Sequence, residues 1–220
     1  MNNVVPMPYA QLRSQFGGLP ESPVISAAFD YARERMAPFL FNHVARSWLF
    51  AARLARMQAL QCDLEVVAVS TLLHDLGLTP HADGPYRFEV NGAMAAAAFV
   101  RDRGFDEHRA QLVWDCIALH ATPSIGLFKE REVALCVRGI TVDFGGDDYE
   151  RIGRAGIDTI VAAMPRLDMK QQFTCALRHL AETRPETTYD TIVRDFGERY
   201  VPGYRASSWV DQVLGGPYAD

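Results

Sequence analysis

The chain has 220 residues, 49% of them hydrophobic and 22% charged, with a formal charge of −5. That length is enough to bury a sizeable core in one domain, or at most two small ones. The acidic balance and the lack of any Lys/Arg run exclude the electrostatic footprint of a nucleic acid polymer, while small substrates, single nucleotides included, stay open.

Two further classes drop out on local grounds. The longest clean apolar run, Ala93 to Val100, is too short and too alanine-rich to span a bilayer. The N-terminal stretch has no basic region followed by an apolar core, so no secretory signal is read there. The four cysteines, Cys62, Cys116, Cys136 and Cys175, are widely spaced without a CxxC. They read as small buried apolar side chains in a reducing compartment, and the expected location is the cytoplasm.

In chain order, residues 1–23 carry four prolines and two glycines and read as an irregular arm with at most one short helical turn. Helical spacing begins at Val24 and runs to Met36, with Ile25, Ala28, Phe29 and Ala32 on one face, and Pro38 is expected to end it. A second helix is predicted from an N-cap at Asn42 to about Leu60, with His43 in its first turn and Arg46 and Ser47 on the same face. Asp63 should cap a third, Leu64 to Leu76, which is apolar nearly all round and therefore belongs in the middle of a bundle. Gly77 is placed to take a left-handed cap.

A polar loop over residues 78–87 follows, in the position of a pocket mouth or lid. Helices are then predicted over Phe88–Arg103, Asp106–Leu119 and Glu130–Asp143. Accessory helices are predicted at about Gly156–Ala163, Met169–Thr183 and Tyr189–Tyr200. No strand, repeat, G-x-G-x-x-G or P-loop is present. The class is all-α: an arm over 1–23, a helical core over 24–150, and accessory helices over 151–220 packed on the same domain.

The third helix runs straight into His74-Asp75. An imidazole and a carboxylate buried side by side are costly unless each has a strong partner. A divalent metal is one such partner, and a purely structural hydrogen-bonded pair is the other reading. The order His43, His74-Asp75, Asp143 adds weight to the metal, because each lies near the end of its own predicted helix and a bundle can bring such residues around one ion. Two imidazoles and two carboxylates suit Zn, Fe, Mn, Co or Ni.

This order resembles the HD-domain superfamily of metal-dependent hydrolases, on Asn42-His43, Leu72-Leu73-His74-Asp75-Leu76-Gly77 and Val142-Asp143. The resemblance covers roughly residues 24–150. It implies an HD-type helical bundle in which His43, His74, Asp75 and Asp143 bind a metal. A narrower likeness, to the cyanamide-hydratase branch, rests on Asn42 to Arg46, on Phe88-Glu89-Val90-Asn91-Gly92 as an FE-x-x-G stretch, and on Ile117-Ala118-Leu119-His120 with Cys116 in place of an alanine.

A metal in such a site lowers the pKa of bound water and so supplies hydroxide near neutral pH. The ligands themselves do not separate a nitrile-type substrate from a phosphoester, including a nucleotide. A phosphoester calls for arginines, a small nitrile for a tight pocket with one or two donors. Arg46, Glu89 and His120 are the catalytic candidates, Glu89 as a proton shuttle and His120 as general acid/base or ligand of a second ion. Glu89 also reads as a carboxylate favoured by the helix N-terminus, and His120 as a helix-terminal histidine. His81 and Arg87 are the substrate-contact candidates. A small-molecule hydrolase or hydratase, a non-catalytic metal-binding regulatory module, and a metal-free interaction protein are the three functions weighed. A monomer and a homo-oligomer are equally compatible with the sequence.

Overall fold

The computed structural model describes residues 7–218 and contains no strand among them. The backbone divides into two compact units, the first reaching to Met169 and the second starting at Lys170.

In the first unit, α1 (Tyr9–Phe16) is followed by α2 (Pro23–Arg35) and α3 (Pro38–Met57). The arm expected over 1–23 therefore contains a two-turn helix, and residues 1–6 of it lie outside the described residues. Pro38 starts α3 instead of ending α2, since a proline in the first helical turn gives up an N–H that has no partner there anyway. Asn42, expected as the cap, sits inside α3 and donates its side-chain amide to the Pro165 carbonyl at 2.8 Å.

Helix α4 (Leu64–Leu73) is capped as expected by Asp63, whose carboxylate accepts from the Glu65 and Val66 N–H groups. It contacts α2, α3, α6 (Glu107–Ala118) and α8 (Arg131–Gly145), and every residue from Val66 to Leu73 is buried. The central position read from its all-round apolarity is the one it occupies. After Leu73 the chain tightens into a 3-10 turn at Leu76–Leu78 and a second at Pro80–Ala82, ahead of α5 (Phe88–Arg101). Gly77 does not take a left-handed cap. It is a glycine because a Cβ there would overlap the Phe88 carbonyl oxygen and crowd the Gly92 N–H, so the turn can lie directly on α5.

Helices α3 and α8 cross closely at Gly139, where a Cβ would come within 2.6 Å of both the Ser47 carbonyl oxygen and Ala51 Cβ. One turn back along α3 stands His43, and one turn on along α8 stands Asp143. The short α7 (Pro123–Gly126) precedes α8, while α9 (Tyr149–Ile152) and α10 (Arg154–Ala163) follow it. The first unit thus continues past residue 150, through α10 to the 164–169 segment.

The second unit carries α11 (Met169–Thr183) from its second residue onward, α12 (Val193–Tyr200) and α13 (Trp209–Leu214). Within it Tyr204 hydrogen-bonds Thr188 at 2.7 Å, and its ring fills the space a Cβ on Gly197 would need. Cys116 and Cys136 are buried as expected, but Cys62 is half-buried and Cys175 exposed, and all four are free thiols. No helix among the described residues is long and apolar enough to cross a membrane.

Candidate metal centre

The end of α4, the first turns of α3 and the last turn of α8 meet in a buried group of polar side chains. His43, His74 and Asp75 converge so that one ligand atom of each lies within 4.8 Å of the others. His43 Nε2 and His74 Nε2 are 3.1 Å apart, and Asp75 Oδ2 stands 3.6 and 3.3 Å from them.

The hydrogen bonds on the far side of each ring decide what these atoms carry. His74 Nδ1 lies 2.8 Å from the Thr71 carbonyl, which can only accept, so Nδ1 holds the proton. His120 Nδ1 donates in the same way to Ile117 O at 2.7 Å. His43 Nδ1 donates to Asp143 Oδ2 at 2.7 Å. In their neutral forms all three imidazoles therefore present an Nε2 lone pair. His43 and His74 point theirs at each other, and Asp75 Oδ2 adds a third acceptor that is buried with no hydrogen-bond partner of its own.

Three acceptors without a donor at such spacing repel one another. A cation between them removes the conflict, and a divalent ion is the kind that neutral imidazole and carboxylate hold. The donor set therefore fits a metal. Burial pushes the His43 pKa down despite Asp143 and Asp75 beside it, which disfavours a proton as the shared cation. Burial would raise the Asp75 carboxyl, but His74, His43 and His120 together hold it well below the usual carboxylate range.

Asp143 is not brought into this cluster. Its Oδ2 takes the His43 Nδ1–H and the Arg46 Nη2–H at 2.8 Å, and its Oδ1 takes Arg46 Nε–H at 2.7 Å and Arg166 Nη1–H at 3.0 Å. Burial alone would raise its pKa, but His43 and Arg46 push it well below the ordinary range. It stands behind the His43 ring, on the side away from His74. Arg46 is likewise one layer back: fully buried, it also donates to the carbonyls of Met164 and Pro165 at 2.8 and 3.1 Å.

The other expected residues divide. His120 closes the cluster, with Nε2 3.8 Å from Asp75 Oδ1 and its ring edge-to-face with both His74 and Phe88. Burial and the neighbouring His74 lower its pKa to about 4, against the opposing pull of Asp75 and Glu89. Glu89 is fully buried in the first turn of α5 and pairs with the loop cation Arg87 at 3.1 Å. His81 is exposed in its 3-10 turn and joins neither group.

Arg166 and the 164–165 carbonyls are what sequence reasoning missed. They lie beyond the core boundary drawn at residue 150, and a single arginine after a proline carries no pattern. Phe88, part of the FE-x-x-G stretch, also forms a wall beside the His120 ring.

The profile of the HD domain family matches residues 40–195, more of the chain than the 24–150 stretch on which the sequence resemblance rests. No curated protein matches the chain.

Proposed function

Since the chain belongs to the HD domain family, we propose that it is a metal-dependent hydrolase or hydratase acting on a small molecule. The carrying observation is the convergence of His43, His74 and Asp75 with two lone pairs facing each other and Asp75 Oδ2 unpartnered. These three residues would hold the ion, and His120, whose Nε2 faces the same carboxylate, stands next in reach. A divalent ion bound there supplies a water of lowered pKa.

The chain's own residues then have separable tasks. Asp143 and Arg46 orient His43 by fixing the proton on Nδ1, as the outer carboxylate of a metal-bound histidine does. His120 can take a proton at Nε2, because its Nδ1 is committed to Ile117 O. Glu89, buried behind it and paired with Arg87, keeps negative charge close to that imidazole. Phe88 excludes water from one side of the His120 ring.

A small neutral, nitrile-type substrate is the preferred class, in line with the cyanamide-hydratase likeness. Its support is that each arginine near the cluster already serves a buried carboxylate: Arg46 and Arg166 hold Asp143, and Arg87 holds Glu89. A phosphoester would have to draw its oxygens' partners from these pairs. The competing phosphohydrolase reading has one observation in its favour, since Arg87 and Arg166 keep 23% and 34% of their side chains exposed.

The test is a turnover panel of small nitriles, nucleotides and generic phosphoesters with protein loaded in turn with Zn, Fe, Mn, Co or Ni. Nitrile hydration lost in His74→Ala is the expected result. Turnover of phosphoesters alone would replace it with the phosphohydrolase reading. Bound metal without turnover of any class would leave a regulatory module.

A further inference from the structure

The metal-centre chemistry leaves one charged cavity unused. It has a volume of about 140 Å3 and lies between α1, α3 and α10, with Gln15, Phe16, Leu49, Arg53, Arg56 and Thr159 in its wall. Arg53 is two turns beyond Arg46 on α3, about 10 Å along the helix axis, so the cavity is separate from the His43 cluster.

Two guanidinium groups share this cavity, and neither forms an ion pair among the described residues. Arg56 Nη1 donates only to the Phe16 and Gly17 carbonyls, at 3.3 and 2.9 Å. Arg53 makes a single long bond, Nη2 to Ile152 O at 3.3 Å, and its Nε is buried without a partner. Elsewhere in this unit arginines at helix contacts hold carboxylates, as Arg46, Arg109 and Arg138 do. Arg53 is half-buried and Arg56 exposed, so the two unpaired cations repel each other along the cavity wall and an anion between them is favoured.

The packing also fixes where the charge sits. The Arg53 guanidinium fills the space a Cβ on Gly156 would need, with Cζ within 2.7 Å of that position. Glycine at 156 thus lets the guanidinium lie directly on the α10 backbone. Thr159 Oγ1 already donates to Ala155 O and keeps acceptor capacity, and Gln15 adds a neutral amide. Phe16 and Leu49 supply an apolar wall.

We propose that this cavity binds a small organic oxyanion, a phosphate or carboxylate group on a compact apolar body, separately from the metal centre. Arg53 and Arg56 take the oxyanion through charge-assisted hydrogen bonds, and Phe16 and Leu49 cover what it is attached to.

Inorganic phosphate is the probe, titrated calorimetrically into the metal-loaded full chain at constant ionic strength. Saturable binding is expected, weakened about tenfold or more in Arg53→Gln and in Arg56→Gln, as loss of a charge-assisted donor implies. Arg56 is exposed, so its variant tests the site even if Arg53→Gln does not fold. Gly156→Ala keeps both charges but displaces the Arg53 guanidinium, and the same weakening is expected. Absence of saturable binding, or isotherms of Arg56→Gln and Gly156→Ala that superimpose on wild type, would overturn the site. Phosphate held at the metal centre would give that second result.

Discussion

Arg46 and Asp143 form a doubly hydrogen-bonded ion pair with neither side chain exposed, Nε to Oδ1 at 2.7 Å and Nη2 to Oδ2 at 2.8 Å. The same carboxylate accepts the His43 Nδ1–H, so the pair sets the tautomer of an imidazole whose Nε2 belongs to the metal cluster, although neither Arg46 nor Asp143 joins that cluster. A charge pair in this position stabilises through its geometry, because each ion has given up water to enter the core.

Removing the cation should therefore be severe. Arg46→Gln leaves Asp143 buried with only the partly exposed Arg166 as an ionic partner, and a loss of about 3–5 kcal/mol in unfolding free energy is expected. Arg46→Lys keeps the charge but not the planar fork that spans both oxygens, and should recover less than half of the loss. Urea unfolding of the three proteins measures both effects. A Lys variant as stable as wild type would show that the fork is irrelevant.

Metal content separates ligands from the residue behind them. His74→Ala and Asp75→Asn should each abolish stoichiometric metal in the purified protein. Asp143→Asn should retain it with affinity reduced about 10–100-fold, the usual effect of losing an outer carboxylate. Chelation of the wild type should lower Tm by roughly 5–10 °C, because the ion binds only the folded chain. Complete metal loss in Asp143→Asn, measured by elemental analysis, would make Asp143 a ligand.

Gly77 and Gly92 hold the HD-bearing turn against α5, and through it they hold Phe88 and Glu89 beside His120. Gly77→Ala drives a methyl into the Phe88 carbonyl, which is backbone and cannot swing aside. Gly92→Ala meets the Gly77 N at 3.0 Å, a tighter contact than is usual but one a small shift relieves. A loss of about 3 kcal/mol or more is expected at Gly77 and about 1 kcal/mol at Gly92. Equal thermal stability of the two variants would contradict the close approach.

The thiols should separate by pH. Burial, with Glu132 and Asp63 adding negative charge, raises the Cys62 thiol to about 11, so raising pH toward that value should keep increasing its thiolate and its alkylation rate. At pH 8.5 its thiolate fraction is well under about 1%. Cys175 is exposed and should label first, while Cys116 and Cys136 should stay protected in the native state. Peptide mass mapping after iodoacetamide at pH 8.5 and pH 10.5 checks the order. Rapid labelling of Cys62 at the lower pH would show that it is neither shielded nor raised.

The site divides between what pattern conveys and what packing decides. His74-Asp75 was legible because an all-apolar helix ending in two adjacent polar residues leaves them few partners, and α4 does lie at the centre. His120 was legible both as a general acid/base or ligand of a second ion and as a helix-terminal histidine, and the sequence did not choose between them. Its orientation depends on Ile117 O and on the Phe88 ring, which arrives from another helix. Asp143 had the right residue type and order, yet whether it meets the ion or the back of His43 is set by the α3–α8 crossing at Gly139.

By itself the amino-acid sequence determined the all-α class, the buried helix α4, the Asp63 cap and the adjacent His74-Asp75 pair at the end of that helix. Each follows from local periodicity, capping chemistry or the cost of burying polar groups, which neighbouring residues in the chain already encode. Tertiary structure decided the rest: that Pro38 begins a helix, that Gly77 serves close approach and not a left-handed cap, and that Arg46 serves Asp143. It also brought Arg166 and the 164–165 carbonyls to the site and set Arg53 on Gly156. These depend on which backbone lies within a few ångströms of which side chain, a property of helix crossings that no spacing along the chain carries.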